Sequence, residues 1–234
     1  MYADRIDIYR QIEQERDTKL LVFATSNREN MGTQIAKQIL PMFADHLDVI
    51  SDVEKISLLL ITDGGDTMTA WNLVNLIRSF CNTFEVIVPF NCFSSGTLIC
   101  LGANNIVMTK QATLGPIDPS TNALLNPIAP GTNIRVPVSV EFVNAYIEMA
   151  KQEFQIHDQE EMAKIMLKLS EYIHPLTLGQ VYRSRNQIQM VARKLLKNLA
   201  LDHETEDKIV NFLCSESGSH DYAIIGERRE KNWD

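Results

Sequence analysis

The sequence predicts an α/β fold with a largely parallel sheet, and three observations predict it. Segments of strand texture alternate with segments of helical spacing from residue 19 to residue 109. The strand segments are nearly all apolar, the pattern of strands covered on both faces. Two of them run directly into turns of small residues, Asp63-Gly64-Gly65-Asp66 and Phe93-Ser94-Ser95-Gly96-Thr97. In open α/β sheets, ligand sites form at such turns beyond the carboxyl ends of neighbouring strands.

The elements follow in order. Residues 3–17 set Ile6, Ile8, Tyr9 and Ile12 among charges, which predicts an amphipathic helix. Lys19–Thr25 is a buried strand, followed by a polar loop, Ser26–Met31. Residues 32–50 carry helical spacing through Ile35, Ile39, Leu40, Phe43 and Leu47, with Pro41 expected to kink or break the helix. Ile56–Thr62 is a second strand. Thr67–Phe80 is a helix with Trp71, Val74 and Ile77 on one face, opened by Asp66 or Thr67 as its cap. Phe84–Pro89 is a third strand, Thr97–Ala103 a short buried helix and Asn105–Thr109 a fourth strand. From Gln111 to Pro137 the chain is rich in Pro, Asn, Thr and Ser, the texture of an ordered loop or a lid over a site. Residues 139–170 and 178–201 are two long helical patterns, set apart by Pro175 and Gly179. A shorter helix is expected at about 204–214, ahead of Gly218-Ser219-His220-Asp221-Tyr222 and a charged tail.

Composition narrows the function. A net charge of −8 argues against a nucleic-acid partner, because phosphate binding needs a concentrated basic face. The run from Arg183 to Arg193 is interleaved with Val181, Ile188, Met190 and Val191, so it reads as a solvated amphipathic helix. The amino terminus shows no signal peptide, and no apolar stretch approaches the roughly 20 residues of a membrane span. Cys81, Cys92, Cys100 and Cys214 have no metal-ligand spacing and read as free thiols of a reducing cytoplasm. Cys92 is the one with a conceivable catalytic position.

The two turns carry the chemistry. Paired glycines let backbone N–H groups approach a ligand oxygen, and a serine at a strand-to-helix turn presents its hydroxyl at the positive end of a helix. Gly64 or Gly65 together with Ser95 would supply an oxyanion hole, and Ser94 a nucleophile. The plainer readings are a tight turn needing positive φ at the glycines and a helix cap at Ser94 or Ser95. Asp63 and Asp66 would oppose an oxyanion if they pointed inward, so they are expected to face away.

The order of these turns resembles the Clp protease and crotonase superfamily, and within it the serine dehydrogenase proteinase and signal peptide peptidase A group. Asp63-Gly64-Gly65 stands where that group has a Pro-Gly-Gly turn, and Ser94-Ser95-Gly96-Thr97 is similar to its Ser-x-Gly turn. Leu114-Gly115-Pro116-Ile117-Asp118-Pro119 resembles its downstream Leu-Gly-Pro run. Ile12-Glu13-Gln14-Glu15-Arg16 and His174-Pro175-Leu176-Thr177-Leu178-Gly179 are similar to stretches of the serine dehydrogenase proteinases. The resemblance implies one Clp/crotonase-like domain over residues 1–234, a ββα superhelix with a helical extension at about 139–214. It implies Ser94 as nucleophile, no cofactor and no metal, a peptide or protein substrate, a cytoplasmic location and a homo-oligomer, trimeric or larger.

Departures from the group's pattern leave the general base open. Asp63 replaces the usual proline, Ile117 stands where Clp-type enzymes place histidine, and the signal peptidase lysine has no counterpart. Arg135 falls in the window for that lysine but cannot act as a base, because its guanidinium stays protonated. Lys110, Lys151, His174 and His220 remain as candidates, the two histidines foremost. A serine peptidase is therefore the first expectation. A catalytically inactive scaffold or binding protein of the same fold is the second, and a crotonase-type acyl-CoA enzyme the third.

Overall fold

A computed structural model describes residues 2–117, 120–121, 123–216 and 223–225. In chain order the elements are α1 (Tyr2–Arg16), β1 (Lys19–Ala24), α2 (Ile39–Ile50), β2 (Val53–Ile61), α3 (Thr67–Arg78), β3 (Cys81–Val88), β4 (Asn91–Cys92), α4 (Ser95–Leu101) and β5 (Asn105–Met108). They continue with β6 (Thr113–Leu114), β7 (Ser120–Thr121), β8 (Val138–Ser139), α5 (Val140–Gln152), α6 (Gln159–Tyr172), α7 (Pro175–Leu196), α8 (His203–Asn211) and β9 (Ile224–Ile225). The described residues form two compact units. The first takes 2–117, 191–213 and 223–225, and the second takes 120–121, 123–190 and 214–216.

The first unit is an α/β layer built on a parallel sheet in the order β1-β2-β3-β5. One face of its centre is apolar, with Ile56, Leu58 and Leu60 of β2 and Phe84, Val86 and Val88 of β3 fully buried, while the other face buries Ser57 and Glu85. That burial follows from helices lying on the sheet, with α3 contributing Ala70, Leu73, Val74 and Ile77 to the core. The edges behave differently. Lys19–Ala24 is an edge strand that buries only Leu21 and leaves Val22 41% exposed, so the expectation of a buried first strand is corrected. An apolar run does not reveal whether a second neighbour will cover it. A small second sheet carries β4 parallel to β6 and β6 antiparallel to β9. The end of α7 closes the core, where a methyl on Gly102 would lie 2.5 Å from Val74 and 2.9 Å from Leu195.

Helix boundaries depart from the spacing argument at three places. The chain from Ser26 to Gln38 forms no helix, and α2 begins only at Ile39. Pro41 then falls in the first turn, where its missing N–H has no intrahelical partner to lose, and it breaks nothing. In the second unit the expected helix over 139–170 is two helices. Asp158 caps α6 by accepting the N–H groups of Glu160 and Glu161, which ends the pattern begun by α5. The expected break falls just before Pro175, which opens α7 after α6 ends at Tyr172, whereas Gly179 lies inside α7 and breaks nothing. Within this unit Val138, Val140, Val143 and Val181 form a small core with Ile147, Leu169, Ile173 and Leu178. Across the segment expected to be a loop or lid, β7 pairs with β8, and Ile128 bridges to Arg135.

Candidate active site

The first unit brings both small-residue turns together at the carboxyl end of β2. Thr62 joins β2 to β4: its N–H donates to the Asn91 carbonyl at 3.0 Å, and its carbonyl accepts from the Phe93 N–H at 2.9 Å. The chain after Phe93 must therefore turn within one residue to start α4, and Ser94 makes that turn at φ 52°, ψ −116°. This is a left-handed conformation that serine adopts at a cost of order 1–3 kcal/mol, held only where the surroundings over-determine it. Here the surroundings do. The single proton of the Thr97 hydroxyl goes to the Gly115 carbonyl at 2.7 Å, with the Cys92 carbonyl 3.1 Å from the same oxygen, pinning the first turn of α4. Gly96 lets the helix start press on Thr62 and β4, since a methyl there would lie 2.5 Å from Thr62 Cγ2 and 2.8 Å from Cys92 Sγ. Ser94 is not a side-chain cap, for its hydroxyl makes no capping bond to α4.

The glycine turn lies against this serine. Gly64 sits at φ 113°, and a methyl on it would be 2.8 Å from Ser94 Cβ and 3.3 Å from Ser94 Oγ. Its N–H donates to the Thr62 hydroxyl at 3.0 Å, and that hydroxyl also accepts from the Thr25 hydroxyl at 2.9 Å. Gly65, at φ 149°, bridges to Ile35: the Ile35 N–H donates to the Gly64 carbonyl at 2.9 Å, and the Asp66 N–H donates to the Ile35 carbonyl at 2.7 Å. In such a parallel bridge the groups flanking Gly65 face Ile35, so the Gly65 N–H faces away from it. Among the described residues neither the Gly65 N–H nor the Ser95 N–H has a hydrogen-bond acceptor. The two turns thus present unsatisfied amides and a strained serine in one place, the parts needed to hold an anionic tetrahedral centre.

The flanking carboxylates are engaged elsewhere. Asp66 caps α3, accepting the Thr69 N–H at 2.7 Å and the Thr69 hydroxyl at 2.6 Å. Asp63 accepts a hydrogen bond from the Asn91 side-chain amide. Cys92 is fully buried with its sulfur 3.7 Å from that of Cys100. Hydrogen bonding to Cys100, with burial, pushes the Cys92 thiol well above its ordinary range, so it stays protonated at neutral pH and is no nucleophile. Ile117 is buried and donates its N–H to the Leu213 carbonyl at 2.9 Å.

Ser94 Oγ has no hydrogen-bond partner within its own unit. Lys110, in the same unit, is exposed beyond β5. The other described candidates belong to the second unit. Lys151 pairs with Glu148 at 3.2 Å. His174 is exposed before α7, where its Nδ1 accepts the Leu176 N–H at 3.2 Å, so the neutral ring carries its proton on Nε2 and would have to give up this bond to act as a base. His220 lies outside the described residues. Sequence reasoning assigned no role to Thr62, Thr97 or Asn91. Their one local signal was a short hydroxyl or amide side chain within three residues of a small-residue turn.

Comparison with known proteins adds a family. Residues 1–130 match the model of the family described as ClpP-like SDH-type serine proteinase, and this covers both turns. Two proteins of Methanocaldococcus jannaschii are similar in sequence. The uncharacterized protein MJ0137 is 39% identical over 64 residues, 27% of this chain and 22% of its own length. The uncharacterized protein MJ1495 is 29% identical over 125 residues, 49% of this chain and 41% of its own length. The matched part of the chain therefore spans well under half of either relative. Among solved structures, a mutant of the membrane-bound stomatin-specific protease 1510-N superposes with a TM-score of 0.39 at 21% identity, covering 59% of this chain and 63% of its own.

Proposed function

The chain belongs to the ClpP-like SDH-type serine proteinases, and from that premise we propose that it is a serine peptidase-like hydrolase whose nucleophile is Ser94. The conformation of Ser94 carries the reading. A non-glycine residue at φ 52°, ψ −116° between a strand and a helix is strain that a plain cap has no use for. In this reading Ser94 Oγ attacks the scissile carbonyl, and the oxygen that becomes anionic is received by the N–H groups of Ser95 and of the glycine turn. Gly65 is the better donor of the pair, because the Gly64 N–H is already given to Thr62. Collapse of the tetrahedral intermediate expels the amine and leaves an acyl-enzyme, which water resolves. The hydroxyl proton passes to a histidine, His174 or His220, which returns it to the leaving amine.

The substrate is a peptide or protein in the cytoplasm, and no described helix is long and apolar enough to cross a membrane. The working form is a homo-oligomer, trimeric or larger. Phe142 at 79% exposure, Tyr172 at 70% and Leu176 at 69%, all on the helices of the second unit, supply apolar surface that a partner copy would cover.

A fluorophosphonate probe tests this directly. The wild-type protein is expected to be labelled at Ser94, and Ser94→Ala to take no label. Among His174→Ala and His220→Ala, the one that removes the base should slow labelling about 100-fold or more. A folded wild-type protein that takes no label would overturn the hydrolase reading and favour a binding protein of the same fold.

A further inference from the structure

Resting on that reading of Ser94, we propose that the groove beside the glycine turn receives a basic side chain of the peptide substrate, lysine or arginine, and pairs it with Asp63. The groove lies within the first unit, holds about 670 Å³ and is lined by Asp63, Gly64 and Gly65 together with Phe23–Asn27, Gly32–Gln34, Ala36, Gln38 and Ile39. Because it includes both glycines, an occupant lies against the turn that faces Ser94. Asp63 is the one charged residue among those lining it; the remainder are neutral amides and hydroxyls such as Asn27, Thr33 and Gln34, with apolar carbons from Phe23 and Ile39. That is a wall for an aliphatic stem with a single counter-charge for its tip.

The Asp63 carboxylate is exposed and held by the Asn91 amide, which occupies one of its acceptor positions and leaves the rest for a ligand. Asn91 belongs to the strand that leads into Ser94, so the carboxylate is fixed relative to the nucleophile by both turns. Asp63 also stands one residue from Gly64, about 3.8 Å along the backbone. An unpaired negative charge so close to the glycine turn disfavours an oxyanion there. A substrate cation neutralises it as the anion forms, so a basic side chain gains more in the transition state than on binding. The preference should therefore appear in kcat as well as in KM. The net charge of −8 favours approach of cationic peptides in the same direction and makes it salt-dependent.

Two arms test the pairing with the full-length chain. In the first, fluorescent pentapeptides with a central Lys, Leu or Glu are titrated onto Ser94→Ala by anisotropy. The Lys peptide is expected to bind about tenfold tighter than the Leu peptide. Adding Asp63→Asn should abolish that ratio, and adding Asp63→Lys should invert it toward the Glu peptide, an inversion that misfolding cannot produce. In the second, a peptide library is cleaved by the wild-type enzyme and the cut sites are read by mass spectrometry, with lysine and arginine expected beside the cut. Equal binding of the three peptides, or a lysine preference that survives Asp63→Asn, would overturn the pairing. Labelling of Ser94 without any basic preference removes the groove assignment alone. A lysine preference in a protein whose Ser94 is never labelled removes the hydrolase reading alone.

Discussion

At the scale of single residues, the site depends on how closely Gly64 approaches Ser94. A side chain there meets the serine itself, with 2.8 Å to its Cβ, and must also adopt φ 113°. The serine cannot yield, because Thr97 and the strand pairing of Thr62 fix the chain on either side of it. Gly64→Ala is therefore expected to fold with a stability loss of about 1–3 kcal/mol from backbone strain. Its Ser94 labelling should fall about 100-fold, the usual consequence of moving a nucleophile by an ångström. Comparing labelling rate with thermal midpoint separates the two effects; wild-type labelling in a destabilised Gly64→Ala would mean that the glycine serves the fold and not the site. Gly65→Ala differs in kind. Its methyl would lie 2.2 Å from the Ile35 carbonyl oxygen, so it attacks the bridge that holds the segment around Ile35. The serine and glycines were legible in the sequence because small residues at strand ends have few other uses. The amide that Thr62 occupies was not legible, since a threonine beside a glycine gives no sign of which N–H its hydroxyl will take.

At the scale of elements, Gly179 offers the cleanest test of how a helix boundary is set. A proline and a glycine four residues apart suggest a break; it falls just before Pro175, between α6 and α7, and α7 then runs on through Gly179. Pro175 sits where a helix tolerates it best, at the first position, and the His174 ring takes up the Leu176 N–H in that first turn. A methyl on Gly179 would meet nothing within 4 Å. Gly179→Ala should thus stabilise the protein by about 0.5–1 kcal/mol, the ordinary gain of alanine over glycine in a helix interior, read as a higher urea midpoint at unchanged slope. A loss of stability would place a break or a close packing partner at this position. The central strands were legible from their apolar runs, because burial on both faces leaves that mark in composition alone. Edge status of β1, the late start of α2 and the division between α5 and α6 were not legible. Each depends on a partner or a cap, and Asp158 looks like any other acidic residue until its carboxylate is seen accepting two helix N–H groups.

At the scale of the molecule, the first unit is tied across distant parts of the chain by one buried carboxylate. Glu85 on β3, 2% exposed in its side chain, accepts two hydrogen bonds from Arg16 of α1 at 2.7 and 2.6 Å. It takes a third from the hydroxyl of Ser57 on β2 at 2.7 Å, and Lys55 of the same strand lies 3.3 Å away. Nothing local in the sequence joins Arg16 to a residue 69 positions later, and the pair emerges only once β2 and β3 are in register at Ser57 and Glu85. Burial alone would raise the carboxyl pKa; the hydrogen bonds from Arg16 and Ser57 and the charges of Arg16 and Lys55 outweigh it and hold the group at about 2, against an ordinary 4.5. A folded-state pKa below the unfolded one means that the contribution is present in full above pH 4.5. It is lost as pH falls from there toward 2. Its size at neutral pH is about 3 kcal/mol. Glu85→Gln should cost a similar amount at pH 7, because it leaves Arg16 and Lys55 beside an uncharged group, and should cost little near pH 2. Urea unfolding of the two proteins across this range is the measurement. A gap between them that closes with falling pH assigns the acid sensitivity of the fold to Glu85, and a gap that stays constant would assign the loss to packing alone.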